Sequence, residues 1–233
     1  MVPGFFKRFF TFRNYLVGAI AGIAVLTFFA KQYAFFSFDL HITKTVQQLP
    51  DLFFGDTLLF VSWLGNYYPG QIALLAGCII FASLRRFHLS GGLLLSTVGA
   101  VVIAESIKSF VGRPRPDPLL INQLEKFFKD DSFPSGHVLY AMGFYGFLLF
   151  ATFVLIRNRL WRNIISAIWL SIIILMGISR IYKGSHWFSD TLASYLIGTV
   201  WLYLVILVYQ KLAREKKIEP KEIKVPDQLK KKG

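Results

Sequence analysis

Six apolar runs of about 20 residues, each ended by polar residues, constrain this chain more than any other feature. They lie near 15–36, 66–84, 90–110, 137–156, 162–181 and 187–210. A helix of that length crosses the roughly 30 Å hydrocarbon layer with every backbone hydrogen bond made internally. With 55% hydrophobic and 17% charged residues, and a mean hydropathy of +0.52, the chain is too apolar for an ordinary soluble domain. The expected fold is therefore all-α, a polytopic membrane protein with six transmembrane helices in one bundle. Residues 1–210 form that domain. Residues 211–233 form a basic tail that composition favours as disordered, with binding to anionic headgroups as the alternative.

The run at 66–84 is the weakest, because it reaches spanning length only if Asn66, Tyr67 and Tyr68 form its interfacial end. The stretch before it, 37–65, mixes Asp39, Asp51 and Asp56 with Phe and Leu. It reads as a loop carrying an amphipathic surface helix, with a short re-entrant segment as the alternative.

Charge orients the bundle. Threading six spans puts Lys7, Arg8, Arg13, Arg85, Arg86, Arg157, Arg159, Arg162 and the basic tail on one side. The whole formal net charge of +13 falls there, while cations and anions balance on the other side. By the positive-inside rule the basic side is cytoplasmic, so both termini lie inside and the polar clusters described next lie outside. The arginines flanking the short loops carry this assignment without the tail. Topology thus explains the isoelectric point of 9.9, and nucleic acid is not an expected partner. The run at 15–36 is too long for a typical signal-peptide core and is expected to stay as an anchor. A single cysteine, Cys78, inside the second run, leaves no intramolecular disulfide to form.

Three polar clusters sit at ends of runs. Lys108, Arg115 and Pro116 follow the third run, where a Gly/Pro break stops the helix. An ammonium and a guanidinium there can approach one anion from different directions, although snorkelling accounts for both cations equally well. Pro134, Ser135, Gly136 and His137 precede the fourth run. Free amides at a helix start form an anion site, Ser135 adds a hydroxyl and His137 can exchange a proton; a plain N-cap is the competing account. Ser179, Arg180, His186 and Asp190 span the turn between the fifth and sixth runs. His186 and Asp190 are i, i+4, a spacing that on a helix lets a carboxylate hold one ring N–H and aim the other nitrogen outward. A His/Asp pair that merely locks the helix start is the alternative. Topology puts all three on one side, and the cations they supply suit phosphoryl transfer by positioning and electrostatics. Two histidines and few carboxylates on that side do not make a divalent-metal pattern, so no metal or cofactor is expected.

These residues closely resemble the type 2 phosphatidic acid phosphatase superfamily, whose pattern is K-x6-RP, PSGH and SR-x5-H-x3-D. All eleven fixed positions are present, in order, and the six-span layout is similar over about residues 10–210. The resemblance implies a ping-pong phosphatase in which His186 attacks phosphorus to give a phosphohistidine and Asp190 orients its ring. His137 would protonate the leaving oxygen and then activate water. Lys108, Arg115, Arg180 and the Ser135 and Gly136 amides would hold the phosphate oxygens, without metal. A bell-shaped pH profile follows, since His186 must be neutral while His137 is protonated.

Outside the pattern, Arg113 reads as a snorkelling cation and Glu105 as a structural partner of Lys108. His41 and His88 carry no expected role, and Gly18 to Gly22 is a weak GxxxG. The superfamily also contains soluble vanadium haloperoxidases, which six apolar runs disfavour. A non-catalytic protein that binds or transports anionic lipids is a rival of another class, but binding has no need of a nucleophile with its orienter. The expected substrate is a lipid phosphate: undecaprenyl diphosphate first, phosphatidylglycerol phosphate or phosphatidic acid close behind, with lipid A phosphatase or phosphotransferase activity as the alternative. The expected location is the cell membrane. Residues 117–133, with Glu125, Lys126, Lys129, Asp130 and Asp131, would form an outer loop over the site. Nothing in the sequence sets the oligomeric state.

Overall fold

A computed structural model describes residues 12–49, 54–124 and 131–218. The described elements are helices: α1 Phe12–Gln32, α2 Ser37–Val46, α3 Asp56–Leu64, α4 Tyr67–Ser83, α5 Phe87–Val111, α6 Gly136–Leu155, α7 Arg159–Tyr182 and α8 Phe188–Ile218. Five of them, α1, α5, α6, α7 and α8, are long and apolar enough to cross a membrane. The sixth expected span, α4, is a shorter apolar helix of 17 residues. At 1.5 Å per residue it covers about 25 Å, somewhat less than the hydrocarbon thickness. Tyr67 and Tyr68 begin it and are highly exposed, the placement expected of interfacial tyrosines. Helix α8 continues past position 210 to Ile218, and residues 219–233 of the basic tail lie outside the described residues.

The centre of the bundle is α6, packed against α5, α7 and α8, with Val138 to Phe147 buried without a break. Small residues let the helices close on it. Gly143 has the Ser96 carbonyl where a Cβ would sit, at 2.6 Å, and Ser96 Oγ donates to the Gly143 carbonyl at 2.8 Å. The Trp201 indole from α8 occupies the space beside Gly99 and donates its N–H to the Ser96 carbonyl at 2.9 Å. Such close approach is how helices associate in lipid, where apolar side chains gain nothing by leaving the hydrocarbon. The outer surface is correspondingly greasy: Ile72, Leu75 and Ile79 on α4, Val102 and Phe110 on α5, and Leu160, Ile164 and Ile168 on α7 are all exposed. An apolar belt of this extent fits a lipid boundary rather than water.

The segment 37–65 departs from its expectation as a surface loop with one amphipathic helix. It contains two helices, α2 and α3, and both turn polar groups inward. Asp39 and Thr43 of α2 and Ser62 of α3 are fully buried. A carboxylate among Phe and Leu reads as a surface mark because an unpaired one cannot be buried cheaply, and Asp39 escapes that constraint through a buried arginine. Asp51 lies outside the described residues.

Chain breaks at one end of the bundle position the site. Helix α5 stops at Gly112, whose φ of +66° is the left-handed terminus that glycine accommodates. Helix α7 ends at a turn where Gly184, at φ +68°, lies against the Asn122 carbonyl too closely to admit a side chain. Gln47 pins the same region: its amide nitrogen donates to the Asn122 carbonyl at 2.6 Å and the Tyr182 carbonyl at 3.0 Å. Leu124 N donates to the Lys183 carbonyl at 3.2 Å, so residues 117–124 are fastened over the α7–α8 turn. Glu125, Lys126, Lys129 and Asp130 lie outside the described residues.

Candidate active site

The end of α5, the linker after it, the start of α6, the end of α7 and the α7–α8 turn converge on one cavity of about 840 Å³. Lys108, Arg115, Gly136, His137, Arg180 and His186 all line it. Three sequence clusters separated by 17 and 41 residues thus supply three cations and two histidines to one space. Its remaining wall is largely apolar, running between α4 and α5 past Leu74, Val98, Val101 and Val102. Ser135 and Asp190 stand behind the wall, fully buried. A separate hollow of about 370 Å³ beside Lys44, Gln47 and Asn122 contains none of these residues.

His186 is 1% exposed, and its Nδ1 lies 2.7 Å from the Ser132 carbonyl oxygen. A carbonyl only accepts, so Nδ1 carries the proton and Nε2 the lone pair. Burial, and then the positive charges of Arg115 and Arg180, hold the His186 pKa well below the usual 6.5, against the opposing pull of the Ser132 carbonyl. The neutral, nucleophilic ring therefore persists at mildly acid pH.

Asp190 does not take the position its spacing suggests. Its Oδ2 is 3.8 Å from His186 Nδ1, beyond hydrogen-bond reach. The i, i+4 rule requires both residues on one helix, and α8 starts at Phe188, after His186. Asp190 Oδ2 instead accepts from Ser132 Oγ at 2.6 Å and from Trp187 N at 2.9 Å. It braces the two segments that flank His186, and Ser132 presents its carbonyl to the ring.

Arg113 is not a snorkelling cation. Fully buried, it forms ion pairs with Asp190 Oδ1 and, at 3.0 Å, with Asp39 Oδ2. Its remaining donors reach Ser189 Oγ at 2.8 Å and the Ala34 carbonyl at 3.1 Å. One planar fork thus ties the α1–α2 linker, α2 and α8 together behind the cavity.

His137 Nε2 lies 2.9 Å from Asn66 Oδ1, at the start of α4. Asparagine is a favoured N-cap, yet Asn66 makes no side-chain cap bond and gives its amide to the histidine. Lys108 pairs with Glu105 at 3.0 Å, as their i, i+3 spacing suggests. Arg115 donates to the Ser185 carbonyl at 2.8 Å and Arg180 to Ser62 Oγ at 2.6 Å. The Ser135 amide is engaged by Ser194 Oγ at 2.8 Å, while the buried Ser135 hydroxyl has no hydrogen-bond partner among the described residues. That leaves its hydroxyl, rather than its amide, as the group with donor capacity to spare. Among the described residues no three His, Cys, Asp or Glu side chains cluster as a metal site, and neither His41 nor His88 lines the cavity.

Ser132, Asn66, Ser62, Asp39 and Arg113 are the residues that the sequence pattern missed. Four of them lie outside every motif, and the fifth, Arg113, occupies a variable position of the first. No spacing rule connects Asp39 to Asp190 across 151 positions; a buried polar residue between apolar runs is the only signal they share.

A helical bundle with an apolar belt, holding at one end a cavity lined by three cations and two histidines, defines a multi-pass membrane protein whose site suits phosphoryl chemistry. The model of the PAP2 superfamily matches residues 90–214, more than half of the chain, and the chain belongs to that superfamily as a membrane phosphatase. An undecaprenyl-diphosphatase of Sulfolobus acidocaldarius is 27% identical over 186 residues, covering 78% of this chain and 83% of its own. A phosphatidylglycerophosphatase B of Bacillus subtilis is 31% identical over 112 residues, 46% of this chain and 52% of its own. Among solved structures, a transmembrane PAP2-type phosphatidylglycerolphosphate phosphatase from Bacillus subtilis superposes with a TM-score of 0.68 at 21% identity, covering 88% of this chain and 98% of that one. LpxE from Aquifex aeolicus superposes with a TM-score of 0.57 at 26% identity, over 73% of this chain and 96% of that one.

Proposed function

We propose that this chain hydrolyses the phosphate monoester or diphosphate of a membrane lipid through a phosphohistidine at His186. The observation that carries the proposal is the shape of the 840 Å³ cavity, with cations and histidines at one end and an apolar wall between α4 and α5 at the other. A headgroup fits the first and the adjoining part of an acyl or prenyl chain the second, so the substrate stays in the lipid phase while its phosphorus meets the nucleophile.

In the first half-reaction Nε2 of His186 attacks phosphorus, the N–P bond forms and the P–O bond to the lipid breaks. His137, held at Asn66, gives its proton to the leaving oxygen. Lys108, Arg115 and Arg180 hold the three equatorial oxygens, where negative charge is concentrated, and Gly136 and Ser135 complete the cradle. In the second half, water delivers its proton to His137 and its oxygen to phosphorus, and inorganic phosphate leaves His186. Bonds from Ser62 and the Ser185 carbonyl fix the two guanidinium groups in advance, which reduces reorganisation during transfer.

Undecaprenyl diphosphate is ranked first as substrate, supported by the Sulfolobus relative, which matches over most of both chains. Phosphatidylglycerol phosphate and phosphatidic acid come next, and lipid A phosphates after them. Both termini are proposed to be cytoplasmic, in the cell membrane, with the cavity opening on the extracytoplasmic side; the supporting evidence is the arginines beside the short loops. The full chain, purified in detergent and given each lipid in turn, is expected to release inorganic phosphate from at least one. The same release from His186→Ala would sink the proposal.

A further inference from the structure

Asp39 belongs to no motif, yet it is as deeply buried as any group behind the nucleophile. Its Oδ2 accepts from Arg113 at 3.0 Å, Ser189 Oγ at 2.8 Å and Phe36 N at 3.1 Å, and its Oδ1 accepts from Ser189 N at 2.8 Å. A helix cap accounts for the Phe36 bond alone, since a carboxylate in the first turn of α2 needs no contact with α8 to serve that end. Three of the four bonds run instead to Arg113 and to Ser189, the residue next to Asp190.

Formal charge gives this arrangement a consequence. Asp190 accepts from the Arg113 guanidinium, Ser132 Oγ and Trp187 N, bonds that favour its carboxylate form against the cost of burial. Paired with Arg113 alone it would be neutralised. With Asp39 on the other arm of the fork, two carboxylates share one guanidinium and a net negative charge stays buried behind His186. The groups that share the cavity with His186 are cationic on balance: Lys108 and its partner Glu105 from α5, Arg115 from the linker, His137 from α6 and Arg180 from α7. Lys108, Arg115 and Arg180 oppose the positive charge that the imidazole gains when Nε2 bonds to phosphorus and Nδ1 keeps its proton.

We propose that Asp39 is a positioning residue for the phosphoryl transfer: through Arg113 and Ser189 it fixes Asp190 behind Ser132 and leaves the cluster with the negative charge that offsets the developing phosphoimidazolium. The proposal rests on His186 being the nucleophile.

The test is the pH profile of kcat and kcat/KM for phosphate release from dioctanoyl phosphatidic acid, or from whichever lipid phosphate the wild type turns over. It compares the full-length wild type with Asp39→Asn, the double variant Asp39→Asn/Arg113→Gln and Asp39→Glu. A unit charge several ångströms away in a medium of effective dielectric near 20 changes a rate by about tenfold. Asp39→Asn is therefore expected to lower kcat by about tenfold with KM unchanged, and to move the acid limb of kcat/KM down by roughly one pH unit. The double variant removes one negative and one positive charge and is expected to return the limb to its wild-type position. Profiles of Asp39→Asn that superpose on wild type, or a limb that stays shifted in the double variant, would overturn the proposal. Where Asp39→Asn does not fold, Asp39→Glu keeps the charge and must keep the limb even as kcat falls; a displaced limb overturns it equally. His186→Ala runs alongside: persistent turnover there defeats the nucleophile assignment itself, whereas an inactive His186→Ala with an unmoved Asp39→Asn profile defeats only the role of Asp39.

Discussion

The segment from α1 to α4 and the segment from α5 to α8 contribute to the same cavity in different ways. The second segment holds all eleven motif residues and the whole of the superfamily match. The first holds none, yet supplies Asp39 to Arg113, Ser62 to Arg180 and Asn66 to His137. Groups proposed to touch phosphate come from one half of the chain, and several groups that fix them come from the other. A motif reports the chemistry of a site; how stiffly it is held depends on residues whose identity the chemistry does not dictate.

Breaking the comparison begins with its largest expected effect. His186→Ala is expected to lower kcat by about 10⁴-fold or more, read as phosphate release, because no other group in the cavity replaces the nucleophile. Arg180→Ala should cost about 10²- to 10³-fold, the usual loss when one oxyanion-holding donor is removed. Ser62→Ala leaves the guanidinium present but less fixed, and about a three- to tenfold loss in kcat is expected. A loss from Ser62→Ala as large as that from Arg180→Ala would erase the distinction between the two halves.

Two further outcomes concern the buried charges. Arg113→Ala leaves Asp39 and Asp190 without their shared cation, and should destabilise the protein by about 3–5 kcal/mol, measured as a fall in thermal midpoint in detergent. An unchanged midpoint would mean that Arg113 is the surface cation its sequence context suggests. For pH, His186 is active when neutral and its pKa lies well below 6.5. Activity should therefore hold through mildly acid conditions and fall only as the pH drops through that lowered value. An acid limb in kcat/KM centred at 6.5 or above would contradict the burial of the ring among cations.

Much of the fold and the site was legible because the relevant signals are local. Apolar runs of spanning length, the Gly/Pro break after Lys108, and cations at run boundaries each follow from a few adjacent residues. Three features were not. The direct His186–Asp190 bond failed because α8 starts at Phe188, two residues after His186, a finer distinction than helix boundaries in sequence allow. Asp39 and Arg113 each looked like surface charges, since burial of either makes sense only once its distant partner is known. Asn66 looked like the interfacial end of a span, and its side-chain direction is a tertiary outcome.

The proposed topology has its own check. Leu119, on the linker between α5 and α6, is 90% exposed, whereas Ser185 in the α7–α8 turn is buried and would make a poor reporter. In a chain carrying Cys78→Ala, a cysteine replacing Leu119 should react with a membrane-impermeant maleimide on intact cells. Protection until the cells are lysed would reverse the orientation.

The central claim, a covalent phosphohistidine at His186, is tested most directly by rapid acid-free quenching of the enzyme with a ³²P-labelled lipid phosphate, followed by mapping of the label. The account predicts protein-bound label that is stable to alkali, lost in acid, confined to the peptide containing His186 and absent from His186→Ala. Unlabelled protein under conditions of rapid turnover, together with phosphate release that survives in His186→Ala, would contradict it.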